Sequence, residues 1–216
     1  MISLISVHVA KAGGSSVGAA LKAAYGDRLV LDYADNPADP TSARVLDPKG
    51  FERRKRDVPD GILAIHGHFH PAKYRITDDC VLFTHLREPV ANIISIYYYW
   101  QQMPHQSDAL HRYVVQNKLS LIEMAQLPLI RRLYSQTYFG DFDMGRFDIV
   151  GRHEARDSML GLLDQRLSVG LDPTVFVNVT PHDERRLQIE HDAQLRSHLR
   201  DLLRDDIEFY ERWARP

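Results

Sequence analysis

Six short apolar runs alternate along the chain with stretches whose apolar positions recur at helical spacing. ISLISVHV near the start is rich in β-branched residues, the pattern of a strand covered on both faces. Val17, Ala20, Leu21 and Ala24 then mark one helix face between Ser16 and Tyr25, and Gly26 stops it. RLVLDY (28–33), GILAIHG (61–67) and DCVLFTHL (79–86) read as further strands. In REPVANIISIYYYW the proline suits a first helical turn, and Val90, Ile93, Ile94, Tyr97 and Tyr98 form a face directed into the core. Residues 106–138 predict two or three helices broken at Pro128. FDIVG (147–151) predicts a strand, RDSMLGLLDQRL a helix behind it, and PTVFVNV a last strand. Glu184 to Trp213 reads as helical, with Leu195, Leu199, Leu202, Phe209 and Trp213 on one side. Residues 34–60, with proline, aspartate and the run FERRKRD, show no core face and are expected to be a solvated loop.

Strands alternating with helices predict an α/β protein with a central, mainly parallel sheet flanked by helices. No repeat or linker divides residues 1–216, so one domain is expected. Ligands of such folds bind beyond the carboxyl ends of the strands, which directs attention to the segments that follow them.

Composition narrows the function classes. A formal charge of −2 provides no global basic field for nucleic acid or an anionic membrane, so an anion site has to be built locally. The single cysteine, Cys80, excludes an internal disulfide and a Cys-rich zinc site, and its apolar run points to a buried, inert thiol. Without a signal-peptide pattern or a membrane-length apolar stretch, a soluble, cytoplasmic protein is expected.

The first strand leads into HVAKAGGSS. Lys11 brings a mobile charge, Gly13 and Gly14 allow close approach of the backbone, and Ser15 and Ser16 add hydroxyls, one of them a possible helix cap. With the amides of the following helix, these residues suit a phosphate-like group. The nucleoside-triphosphate loop pattern fails, because lysine precedes the glycines. The order present resembles the H-x-P-K-T-G-G-T-S segment of carbohydrate-type sulfotransferases that use 3′-phosphoadenosine 5′-phosphosulfate (PAPS), among them heparan sulfate 2-O-sulfotransferases and bacterial relatives. His8, Lys11, Gly13, Gly14 and Ser16 match, whereas Ala10 and Ala12 replace proline and threonine and Ser15 stands for the second threonine. THLREPVANIIS resembles that family's strand–LR[DE]P–helix element, which implies that Arg87 and Ser95 bind the 3′-phosphate. FDIVGRHE is similar to its V-G-x-x-E segment, and VNVTPHD to its N-x-[ST] stretch.

The resemblance implies a three-layer, P-loop-like fold and transfer of a sulfuryl group from PAPS to a hydroxyl, on a small molecule or a glycan. The cradle would be Lys11, Ala12, Gly13, Gly14, Ser15 and Ser16, with no metal required. A proton acceptor is sought among His66, His68 and His70, which share one face if the chain stays extended. His68 is the expected general base, His66 its orienting partner or alternate, and Lys11 the group that meets charge on the leaving phosphate. The same three histidines could instead ligate zinc or sit in solvent. Two other classes stay open: an NTPase-like phosphotransferase using Asp32 as a metal-binding acid, and a nucleotide-binding protein without catalysis. Arg53, Arg54, Lys55 and Arg56, with the aromatic cluster Tyr97–Trp100, are candidates for a carbohydrate surface.

Overall fold

The computed structural model describes residues 2–103, 108–175, 189 and 191–215. Among the described residues five strands form the sheet: β1 (Leu4–His8), β2 (Leu29–Asp32), β3 (Ala64–Gly67), β4 (Val81–Leu86) and β5 (Ile149–Arg152). All four pairings are parallel, in the order β2-β3-β1-β4-β5. Helices α1 (Gly14–Tyr25), α2 (Ala43–Leu46), α3 (Pro48–Arg53), α4 (Pro89–Gln102) and α5 (Ala109–Gln116) precede α6 (Leu121–Gln126) and α7 (Pro128–Arg131). A π-helical turn (Leu133–Tyr138) leads toward β5, and α8 (Arg156–Leu167), α9 (Ala193–Leu202) and α10 (Arg204–Trp213) follow.

Alternate residues of the strands feed two cores. Leu4, Ala64 and Phe83 meet Val17 and Leu21 of α1 and Met159, Leu160 and Leu163 of α8. Ile5, Val7, Ile65 and Leu82 point the other way, toward Val90, Ile93 and Ile94 of α4 and the helices beyond it. The result is the expected three-layer arrangement, with a sheet that is wholly parallel. Chain connections leave β1 toward β2 and leave β4 toward β5, so the crevice where they diverge lies at the carboxyl ends of β1 and β4.

Several expectations need correction. The segment 34–60 contains α2 and α3 and buries Ala38 and Phe51. Arg44 fastens it by donating to the Gly140 carbonyl at 2.8 Å, and Asp47 caps α3 through the Gly50 amide at 3.0 Å. The C-terminal helix is divided at Leu203 into α9 and α10. Of PTVFVNV, Pro173 and Thr174 lie in a turn and Val175 is not in a strand, while 176–179 fall outside the described residues, as does VNVTPHD. Pro128 opens α7, where a proline at the first helical position loses no hydrogen bond. Among the described residues no helix is long and apolar enough to cross a membrane.

Candidate active site

A cavity of about 1260 Å³ opens at the crevice between β1 and β4. Its lining includes Lys11 and Gly13 from the turn after β1, Gly14, Ser15 and Ser16 from the first turn of α1, Arg87 from the turn after β4 and Ser95 from α4. Seven of the residues proposed from sequence for the donor thus share one surface. Ala12 does not. Its side chain is buried in the core and its amide closes a turn on the Val9 carbonyl at 3.2 Å.

Close packing explains the glycines. A Cβ on Gly14 would lie 1.9 Å from the His8 ring, so only glycine fits there. Gly13 is the N-cap of α1 with φ of 96°, a conformation that glycine adopts without strain. The N-cap of α1 is Gly13, so neither serine takes that position, contrary to expectation. Lys11 adopts φ of 60°, rare for a residue with a Cβ, and its ammonium lies 4.0 Å from the centre of the Tyr99 ring.

Arg87 is set by its neighbours. Glu88 caps α4 by accepting from the Ala91 amide at 2.8 Å and faces Arg196 and Arg200. The Arg87 carbonyl accepts from the Tyr134 hydroxyl at 2.9 Å. Tyr134 belongs to the π-helical turn, whose Tyr134 and Ser135 amides donate to Asp206 at 2.9 Å each. Burial holds Asp206 up at about 6.

His66 lies in β3 and His68 and His70 beyond it, so the three histidines take separate places once the strand ends at Gly67. His66 is fully buried, does not line the cavity, and uses both nitrogens. Its Nε2 donates to the Gly14 carbonyl at 3.1 Å, which leaves Nδ1 to accept from Ser6 Oγ at 2.8 Å. It therefore braces the turn after β1 and makes no hydrogen bond to His68. His70 donates to the Gly140 carbonyl at 2.9 Å and accepts from the Ala72 amide, again away from the cavity. His68 alone of the three lines it. Its Nδ1 lies 2.5 Å from the His8 carbonyl, which can only accept, so Nδ1 carries the proton and Nε2 the lone pair. Burial lowers its pKa to about 4, and the His8 carbonyl opposes that shift. Among the described residues no group of three or more His, Cys, Asp or Glu side chains is arranged to hold a metal ion.

The remaining candidates are settled by partners. Asp32 is buried 2.6 Å from the Lys73 ammonium and accepts from the Tyr74 hydroxyl at 2.8 Å. It balances a buried lysine and is not open to a metal-bound nucleotide. Arg53 to Arg56 lie outside the cavity, with Arg54 paired to Asp47 at 2.9 Å. Of the aromatic cluster, Tyr99 and Trp100 line the cavity, while Tyr97 bonds the Leu119 carbonyl and Tyr98 is buried. Cys80 is buried, and burial raises its thiol to about 11.

Sequence reasoning gave no cavity role to His8, His153, Tyr33, Asn36 or Arg156, all of which line the cavity. His8 and His153 stand inside quoted motifs, so the signal was present. Tyr33 ends the run read as the second strand, and Asn36 lies at the head of the segment taken for a loop.

Buried histidines make stability depend on acid. His66 and His85 are lowered to about 3, His68 and His70 to about 4, and His8 well below its ordinary value, in each case chiefly by burial. The unfolded chain takes up these protons as pH falls below about 6.5 while the native state refuses them until near 4. Stability is therefore full above about 6.5 and falls through that window, by up to about 1.4 kcal/mol per pH unit for each histidine. Asp206, raised rather than lowered, opposes the trend as a single group. Urea unfolding at pH 7 and pH 5 is expected to give a markedly lower midpoint at pH 5. Equal midpoints would refute the buried-neutral assignment.

No family model matches the chain, and no curated protein does. Among solved structures it is similar to a sulfotransferase from Alicyclobacillus acidocaldarius, at 15% identity and a TM-score of 0.40, over 98% of this chain and 99% of that one. It is also similar to mouse sulfotransferase SULT7A1 complexed with PAP, at 14% identity and a TM-score of 0.36, over 91% of this chain and 64% of that one.

Proposed function

We propose that the chain transfers a sulfuryl group from PAPS to a hydroxyl, on a small molecule or a glycan, within one cytoplasmic domain. The observation that carries this reading is the convergence of Lys11, Gly13–Ser16, Arg87 and Ser95 in the lining of a cavity that also holds His68. The amino end of α1, with glycine as its N-cap and lining the cavity, suits a small oxyanion. The guanidinium and hydroxyl of Arg87 and Ser95 suit a second phosphate. In the reaction, His68 Nε2 takes the proton of the acceptor hydroxyl as its oxygen bonds to sulfur. The bond from sulfur to the bridging oxygen breaks in line, and Lys11 with the α1 amides meets the charge left on the 5′-phosphate. Adenosine 3′,5′-bisphosphate is the leaving product. This chemistry needs no divalent ion.

Calorimetry and a transfer assay test the reading together. Adenosine 3′,5′-bisphosphate is expected to bind without magnesium, and label from PAPS to pass to a member of a panel of sugars, phenols and hydroxyl lipids. Preference for Mg-ATP would overturn it. Bisphosphate binding with a blank panel would favour a nucleotide-binding protein without catalysis.

A further inference from the structure

Two imidazoles converge behind the cradle. A Cβ built on Gly13 would lie 2.5 Å from His153 Nδ1 and 3.8 Å from His85 Nε2. His85 is 1% exposed, and among the described residues neither of its nitrogens makes a well-formed hydrogen bond, the Ala12 backbone offering it a weak one. The Nδ1 of His153 is likewise buried without a well-formed bond among the described residues, while its ring lines the cavity. Buried polar atoms are rarely left in this condition without a functional reason. Both rings sit at the amino end of α1, a helix of 12 residues whose N-cap is a glycine.

The charged surroundings define what such a pair can do. Arg87 and Arg156 face His153 and oppose its protonation, as burial does most strongly, whereas Glu154 and the Ala12 backbone favour it. Glu154 is also engaged by the Tyr210 hydroxyl at 3.2 Å. His85 meets His66, His153 and Arg156, which add to burial in keeping it neutral, and the Ala12 backbone again opposes them. Without a bound anion, a proton on His153 would face Arg87 and Arg156, one on His85 would face Arg156 and the His8 ring stacked 6.5 Å away, and both would face a helix dipole. A bound dianion reverses that balance.

Resting on the reading of this loop as the donor site, we propose that His153, backed by His85, takes up one proton as a phosphate monoester dianion seats at Gly13–Ser16. The proton comes from solvent, no covalent bond changes, and the resulting imidazolium neutralises part of the arriving charge. The seat then favours doubly charged oxyanions over singly charged ones, and its affinity rises as pH falls.

The test is calorimetry with adenosine 3′,5′-bisphosphate at pH 7 in two buffers of different ionisation heat, for the wild type and His153→Gln. Comparing the two proteins cancels the ligand's own ionisation and the other cavity histidines. The wild type is expected to take up close to one proton more than the variant, and to gain up to about tenfold more affinity per pH unit on acidification. Equal uptake and equal pH slopes would overturn the proposal. A second measurement needs no variant in the binding step: histidine NMR of the wild type with inorganic phosphate. A shift of the His153 ring toward its protonated form supports the seat even if the bisphosphate does not bind, in which case only the nucleotide reading is lost. No shift with phosphate overturns the seat itself.

Discussion

His68→Ala is expected to lower turnover by about 10²–10⁴-fold, the usual contribution of a positioned base, while bisphosphate affinity stays unchanged. The reason lies in one hydrogen bond. Because Nδ1 must donate to the His8 carbonyl, the imidazole is held in the tautomer that presents Nε2 as acceptor. Burial keeps the ring neutral down to about pH 4, so the base is unprotonated across the ordinary range. For the free enzyme, kcat/KM should therefore rise with pH through an acid limb near 4, rather than near the 6.5 of a solvated histidine. Arrival of an anionic donor favours the imidazolium, and the limb in kcat should move upward. Near-full turnover in the alanine variant, with acceptor binding intact, would remove His68 from the reaction.

Lys11→Ala should cost about 10²–10³-fold in kcat, the scale observed when one donor to a developing oxyanion is removed. Its contribution is expected mainly in the transition state, since charge on the bridging oxygen grows only as the bond to sulfur breaks. Arg87→Ala should behave differently, raising the dissociation constant of the bisphosphate with less effect on kcat, because the 3′-phosphate does not change during transfer. Equilibrium titration and single-turnover kinetics on both variants separate these outcomes. If neither substitution altered bisphosphate affinity, the two-phosphate reading of the cavity would fail. The contact of the Lys11 ammonium with Tyr99 adds a control, since Tyr99→Phe retains an aromatic face and should preserve most of the lysine's effect.

The elements that were legible in sequence are those whose own residues decide them. RDSMLGLLDQRL is α8 from end to end, and Pro89 opens α4 as its ring geometry requires. The turn after β1 was legible because a glycine pair stands directly between a strand pattern and a helix pattern. What escaped notice depends on contacts between distant segments. Nothing near Leu203 marks a helix break, since no glycine or proline stands there; Asp206 instead turns to cap the amides of Tyr134 and Ser135. The Pro- and Asp-rich composition of residues 34–60 conceals the burial of Ala38 and Phe51, and with it a wall of the cavity. His66 and His68 are only two positions apart, yet one braces Gly14 and the other faces the cavity, because the strand ends between them. The period of two that would have aligned them holds only within a strand.

The neighbouring strands β1 and β4 also have a kinetic meaning. Thr84 Oγ1 donates to the Val7 carbonyl across a separation of 77 residues, and the two halves of the proposed anion grip follow these same two strands. A refolding chain in which β1 has found β3 but not yet β4 possesses the glycine turn without the arginine opposite it. Parallel pairings of this kind are closed late, after a long loop has been ordered. A ligand spanning both halves can therefore hold together only a chain that has already made that closure, and it acts on the rate of coming apart rather than on the rate of assembly.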